Sequence, residues 1–221
     1  MKRKLVFLVL VPLLWSCKQK TDVVTPKQEI KKEKEVIKLS PIIREIALFA
    51  DISLTDSTNV NTLVHFRSID KEGMMESISM EEAVSLYRRT LKSGESNALP
   101  IFEIKNTDYT VLLALEKGYG GTIWGKLLVD RTTLEIKKIE FDHKAESEGY
   151  GDGISFSSFE NQFVGAKIDF EANTFALNQA GKTVVKGNTA IDGISGATTT
   201  SAATIKMVND GLKKHRNYLK K

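Results

Sequence analysis

The sequence predicts an α+β fold: one domain with a twisted antiparallel sheet flanked by helices, preceded by a secretion signal and a polar tether. Three observations lead there. Four strand-like segments follow one another between residues 99 and 141 with turn signals between them, helical patterns bracket them, and globular composition begins only at Pro41. The roughly 180 residues from that point can bury a single core. No internal repeat or low-complexity linker interrupts them.

Residues 1–16 read as a signal peptide. Met1-Lys2-Arg3-Lys4 is basic, and the apolar run from Leu5 to Trp15 is too short for a spanning helix. The run ends Leu14-Trp15-Ser16-Cys17, which resembles a bacterial lipobox with Cys17 as the lipidated first residue; an uncleaved anchor or an ordinary signal with an incidental cysteine are the alternatives. Cys17 is the only cysteine, so no disulfide and no Cys-based metal site can form within the chain. The expected location is therefore lipid-anchored and extracytoplasmic, on the cell membrane or outer membrane. Removing residues 1–16 takes away Lys2, Arg3 and Lys4 and lowers the formal charge from +4 to +1, which gives no electrostatic case for nucleic acid as a partner.

Residues 17–40 comprise Cys17 and a charge-mixed stretch with little to bury, read as a flexible tether that spans on the order of 70 Å when extended. The interspersed Glu29, Glu33 and Glu35 favour a solvated linker over a basic membrane-binding patch. Residues 41–97 are expected to form an N-terminal helical portion of the domain, from the apolar cluster Ile42, Ile43, Ile46, Leu48 and Phe49 and the helical run Met80 to Arg89 after Ser79. Strands follow over Leu99 to Lys105, Tyr109 to Glu116, Thr122 to Val129 and Leu134 to Phe141, a meander bounded by Asn-Thr-Asp, Gly and Asp-Arg-Thr-Thr turns. In the last of these Ile139 and Phe141 fall out of phase with Leu134 and Ile136 across Lys137-Lys138, which predicts a bulge before His143.

The chemistry concentrates in Asp192-Gly193-Ile194-Ser195-Gly196-Ala197-Thr198, followed by Thr199, Thr200 and Ser201. The small residues allow close approach to the backbone, and Thr199, Thr200 and Ser201 are candidate N-caps of a helix that places Ile205, Val208, Leu212 and Leu219 on one face. A phosphate beside Thr198 would meet the positive end of that helix. On chemistry alone the stretch reads first as a capping loop, with a cofactor role as the alternative.

Asp192 to Thr198 resembles the flavinylation motif Asp-x-x-Ser/Thr-Gly-Ala-Thr of the FMN-binding domain family, which includes one component each of the Na⁺-translocating NADH:quinone oxidoreductase and the Rnf electron-transfer complex. All fixed positions match. The resemblance implies covalent FMN in phosphoester linkage to Thr198, surrounded by Ser195, Gly196, Ala197 and Thr199, with installation from FAD by a flavin transferase that requires Asp192. It continues upstream: Gly118-Tyr119-Gly120 is similar to the family's Gly-Tyr-Gly segment, and Asp142 to Gly151 is similar to its His-x-Glu-Thr-Pro-Gly-Leu-Gly loop, here with one extra residue, Glu148 for Pro and Tyr150 for Leu. Phe159, Phe163 and Gly165 match a short aromatic helix ending in Gly. The similarity spans about residues 98 to 215, and residues 98–221 are assigned as the FMN-binding domain.

Other residues stay open. His143 could hydrogen-bond a flavin or a partner, or simply orient its loop. Trp124 could stack near the isoalloxazine, although an aromatic on a strand is more often core. Glu146 and Glu148 are a candidate proton-transfer pair whose simpler reading is a solvated pair in a Gly-rich loop. His65 and His215 are too scattered to suggest a metal site, and no acid–base constellation marks a catalytic residue. The reading is an electron-relaying flavoprotein with a redox partner protein or complex; a sensing or scaffolding module and a flavin-dependent reductase of a small substrate are the alternatives.

Overall fold

The computed structural model describes residues 39–55, 58–95 and 97–220, which lie within one unit. The signal segment, Cys17 and the tether up to residue 38 lie outside the described residues. Pro41 at the first helical position opens α1 (Pro41–Phe49), and β1 (Val64–Asp70) and β2 (Met75–Ser77) form a hairpin before α2 (Met80–Ser93). A capping box starts α2: Ser79 Oγ accepts from the Glu82 N–H at 3.1 Å, and Glu82 Oε2 accepts from the Ser79 N–H at 2.8 Å. Then come β3 (Ala98–Ile104), β4 (Tyr109–Lys117), β5 (Thr122–Asp130) and β6 (Glu135–His143), the expected meander.

The six strands make one antiparallel sheet in the order β2-β1-β3-β4-β5-β6. Residues 41–97 therefore correct the expectation of a helical portion: β1 pairs with β3 along its whole length, from Val64 opposite Ile104 to Asp70 opposite Ala98. Val64 and Phe66 are buried against α1 and α2, so this segment completes the sheet that its helices cover. The bulge lies at Lys137: Val129 pairs with Ile136 and Leu128 with Lys138, and the extra residue turns both Ile136 and Ile139 into the core. It is six residues short of His143, which pairs regularly with Ile123.

Both sheet faces are covered. Val111, Leu113 and Leu128 pack with α1 and α2, whereas Leu112, Ala114, Ile123, Leu127 and Val129 face the C-terminal half. That half holds α3 (Ser157–Glu160) and a second sheet that the sequence pattern does not foretell: β7 (Phe175–Gln179), β8 (Lys182–Val185) and β9 (Thr189–Asp192), with β7 antiparallel to β8 and parallel to β9. Helix α4 (Thr198–Lys214) packs across β4 and β7, and α5 (Arg216–Leu219) closes the fold. Phe141, Phe159, Phe163 and Phe175 interlock beneath it with ring centroids 4.8–6.0 Å apart.

His215 at the end of α4 is 1% exposed, and its Nδ1 lies 2.7 Å from the Gly211 carbonyl. Burial pushes its pKa from 6.5 down to about 4, against the hydrogen bond to Gly211 and with help from the Lys214 charge. The unfolded chain takes up this proton near pH 6.5 and the folded chain only near 4, so the stabilising effect is complete above 6.5 and lost as pH falls through that window. Acidification from pH 7 to pH 4 should cost about 3 kcal/mol through this residue alone. Urea midpoints for wild type and His215→Gln at the two pH values measure it; equal slopes against pH would refute the assignment.

Candidate functional site

The Asp192–Thr198 stretch runs from the end of β9 to the first residue of α4. Its backbone is held by side chains from outside. The Gln162 amide grips Asp192, accepting from its N–H at 2.7 Å and donating to its carbonyl at 3.3 Å. Gln179 Nε2 donates to the Ile194 carbonyl at 3.2 Å, and buried Ser201 Oγ accepts from the Ile194 N–H at 3.0 Å. A tight turn closes by Ala197 N–H donating to Ile194 O at 3.0 Å, and Gly196 supplies the left-handed φ of 76°. A Cβ on Gly196 would come 2.7 Å from the Tyr150 ring, so that aromatic lies directly on the loop.

Thr198 is the first helical residue, exposed, and its hydroxyl has no hydrogen-bond partner among the described residues. The N-cap is Ala197, which offers no side-chain cap, rather than the expected Thr199, Thr200 or Ser201. Those hydroxyls are used differently: Thr200 and Ser201 point into the fold, and only Thr199 stays exposed beside Thr198. An uncapped start to a 17-residue helix leaves N–H donors and the positive dipole end available to an anion at Thr198. Ser195, Gly196 and Asp192 are at least partly exposed, and Ala197 is buried.

The solvated pair expected of Glu146 and Glu148 is not present. Glu148 is exposed, but Glu146 is only 8% exposed. Its Oε1 accepts from the Gly120 N–H at 2.8 Å and its Oε2 from the Thr200 hydroxyl at 2.7 Å, while its own N–H donates to His143 Nδ1 at 3.1 Å. Half-buried His143 thus orients this loop, in the tautomer with Nδ1 free to accept. Trp124 packs with the α1 and α2 cluster, on the sheet face opposite α4. This places it in the core and away from the threonine loop.

A cleft of about 330 Å³ opens beside the loop, walled by Tyr150, Phe156 and Phe159 and floored by Gly153, Gly193 and Ile194. Asp152 lines it too, and its Oδ1 is buried without a hydrogen-bond partner among the described residues, an acceptor suited to an incoming N–H or O–H. A ligand with a flat ring, hydroxyls and a phosphate fits this donor and acceptor set. The larger cavity of about 820 Å³ near Lys167, Asp169 and Lys220 includes nothing from residues 192–201 in its lining. Sequence reasoning missed Gln162, Gln179 and Asp152, which carry no local signal. It met Glu146 through the resembling loop and as one of a candidate carboxylate pair, without its partners Gly120 and Thr200.

Fold and site together define a small α+β module with an exposed threonine at the start of a 17-residue helix. Residues 118–213 match the FMN-binding domain family, and the fold resembles that of the NqrC component of the Na⁺-translocating NADH-quinone reductase. The corresponding Chlamydia caviae component of that reductase is 32% identical over 118 residues, 46% of this chain and 37% of that protein, so the chain spans little more than a third of that relative's length. The structure of the same component from Parabacteroides distasonis has a TM-score of 0.63 at 24% identity, covering 81% of this chain and 92% of that one. The Shewanella oneidensis NqrC structure gives 0.60 at 18%, covering 81% and 96%.

Proposed function

We propose that this chain is an extracytoplasmic, lipid-anchored flavoprotein that carries FMN as a phosphoester on Thr198 and relays electrons between redox partners. The observation that carries the proposal is the exposed Thr198 hydroxyl, without a hydrogen-bond partner among the described residues, at the uncapped start of α4 and the end of a loop that matches the flavinylation motif. In the attachment reaction the Thr198 oxygen would bond to the FMN-side phosphorus of FAD as the pyrophosphate P–O bond breaks, with AMP as leaving group and the hydroxyl proton released. A flavin transferase would catalyse this, and exposed Asp192 is the residue it would engage.

Bound flavin supplies one- and two-electron redox chemistry. The chain's own contribution would be to hold and expose it: the α4 N–H groups could receive a phosphate at Thr198, Asp152 could accept a hydrogen bond, and Tyr150 and Phe156 line the cleft a ring would enter. Within the described residues no helix is long and apolar enough to cross a membrane. A tether behind Cys17 would let the domain swing between donor and acceptor and raise their effective concentration.

Two experiments test this. Cys17→Ser should shift the mature protein from the membrane to the soluble fraction or stall its processing, and unchanged membrane fractionation without partner proteins would contradict lipid anchoring. The reduced FMN form should be reoxidised quickly by a quinone-linked complex or a redox protein. Saturable multiple-turnover reoxidation by a small organic acid would replace the relay with an enzyme.

A further inference from the structure

From the contacts of one buried carboxylate we infer that Glu146 is the positioning residue that fixes the first turn of α4, and with it Thr198, against the Gly118–Gly121 loop. This rests on the reading of Thr198 as the attachment point. Among the described residues no cation pairs with Glu146, although it is only 8% exposed. A buried carboxylate without a cation is costly unless donors satisfy it. Two do, the Gly120 N–H and the Thr200 hydroxyl, and they come from segments far apart in the chain.

The surroundings are shaped for this carboxylate. A Cβ on Gly151 would come 2.7 Å from Glu146 Oε2, and a Cβ on Gly118 would collide with Oε1. At Gly120 the Ala145 carbonyl occupies the space a side chain would need. Two glycines, Gly118 and Gly151, thus make room for the carboxylate, and Gly120 for the backbone beside it. His143 Nδ1 holds the Glu146 backbone from behind.

At the helix end the arrangement is equally specific. Ala197 supplies no cap, and among the described residues the Thr198 hydroxyl has no partner and the Ser201 hydroxyl ties only to Ile194 within the same loop. Among the described residues the Thr200–Glu146 bond is therefore the side-chain hydrogen bond that ties the first turn of α4 to a segment outside residues 192–201. Thr200 lies two residues after Thr198, so releasing it frees the turn that carries the attachment hydroxyl.

The test uses the full chain with Glu146→Ala, Thr200→Val and Glu146→Gln, read two ways. Hydrogen exchange of the flavin-free chain should quicken across residues 194–199 by about tenfold in Glu146→Ala and Thr200→Val, the scale of one lost charge-assisted hydrogen bond. Covalent flavin loading of the folded fraction, followed by intact mass with transferase and FAD, should slow by a similar factor. Glu146→Gln keeps an acceptor for Gly120 and can donate to the Thr200 oxygen, so it should restore both to within about threefold. Wild-type exchange and loading in folded Thr200→Val or Glu146→Ala would overturn the inference, as would loss of rescue by Gln. A purely structural role would lower the melting temperature and leave loading of the folded fraction unchanged, which also overturns it. If wild type takes no covalent flavin while exchange still responds to both variants, the attachment reading fails and the clamp stands.

Discussion

Thr198→Ala is expected to carry no covalent FMN after exposure to transferase and FAD, while its urea midpoint stays close to wild type. The side chain is exposed and its hydroxyl makes no hydrogen bond among the described residues, so its removal costs at most about 1 kcal/mol. Neighbouring threonines do not offer equivalent acceptors. Thr200 is 2% exposed and its hydroxyl donates to Glu146, and Ser201 is fully buried, which leaves Thr199 as the exposed competing hydroxyl in the first turn. Peptide mapping decides between them: a flavin recovered on Thr199 in the wild-type chain would displace the assignment.

The largest stability effect is expected at Asn209, in the C-terminal half of α4 and 3% exposed. Its Oδ1 accepts from the Phe175 N–H and its Nδ2 donates to the Phe175 carbonyl, both at 3.0 Å. Asn209→Ala strands two buried backbone groups at the start of β7, a loss of about 3–5 kcal/mol. The damage reaches the site because β7 carries β9 in parallel register, with Asn178 opposite Asp192. Chemical denaturation should show the drop in full, and a change below about 1 kcal/mol would mean that solvent or relaxation satisfies Phe175.

Much of this architecture is written locally. Turn residues between the segments give the β3–β6 meander, and the phase slip between Ile136 and Ile139 locates a bulge that the structure puts at Lys137. The second sheet is different. β8 is exposed along most of its length, and the parallel pairing of β7 with β9 depends on contacts that no local period reports. β1 went unread because His65, Arg67 and Ser68 dilute its apolar alternation, although Val64 and Phe66 are buried.

The site divides the same way. Asp192 to Thr198 is a contiguous motif and was legible as such. Glu146 meets Thr200 across 54 residues, and its burial follows from the glycines that surround it in space. Alternation along β5 sets Trp124 opposite to Ile123, but only the docking of α4 decides which of those faces the threonine loop shares.

The central claim is the bond between Thr198 and FMN. Its most direct test is to make the chain alongside a flavin transferase with FAD, unfold it in denaturant, and map the flavin by peptide mass spectrometry. The account predicts flavin retained after unfolding, on the peptide that contains Thr198 and on that residue. Flavin released by the denaturant, or found on any other residue, would contradict it.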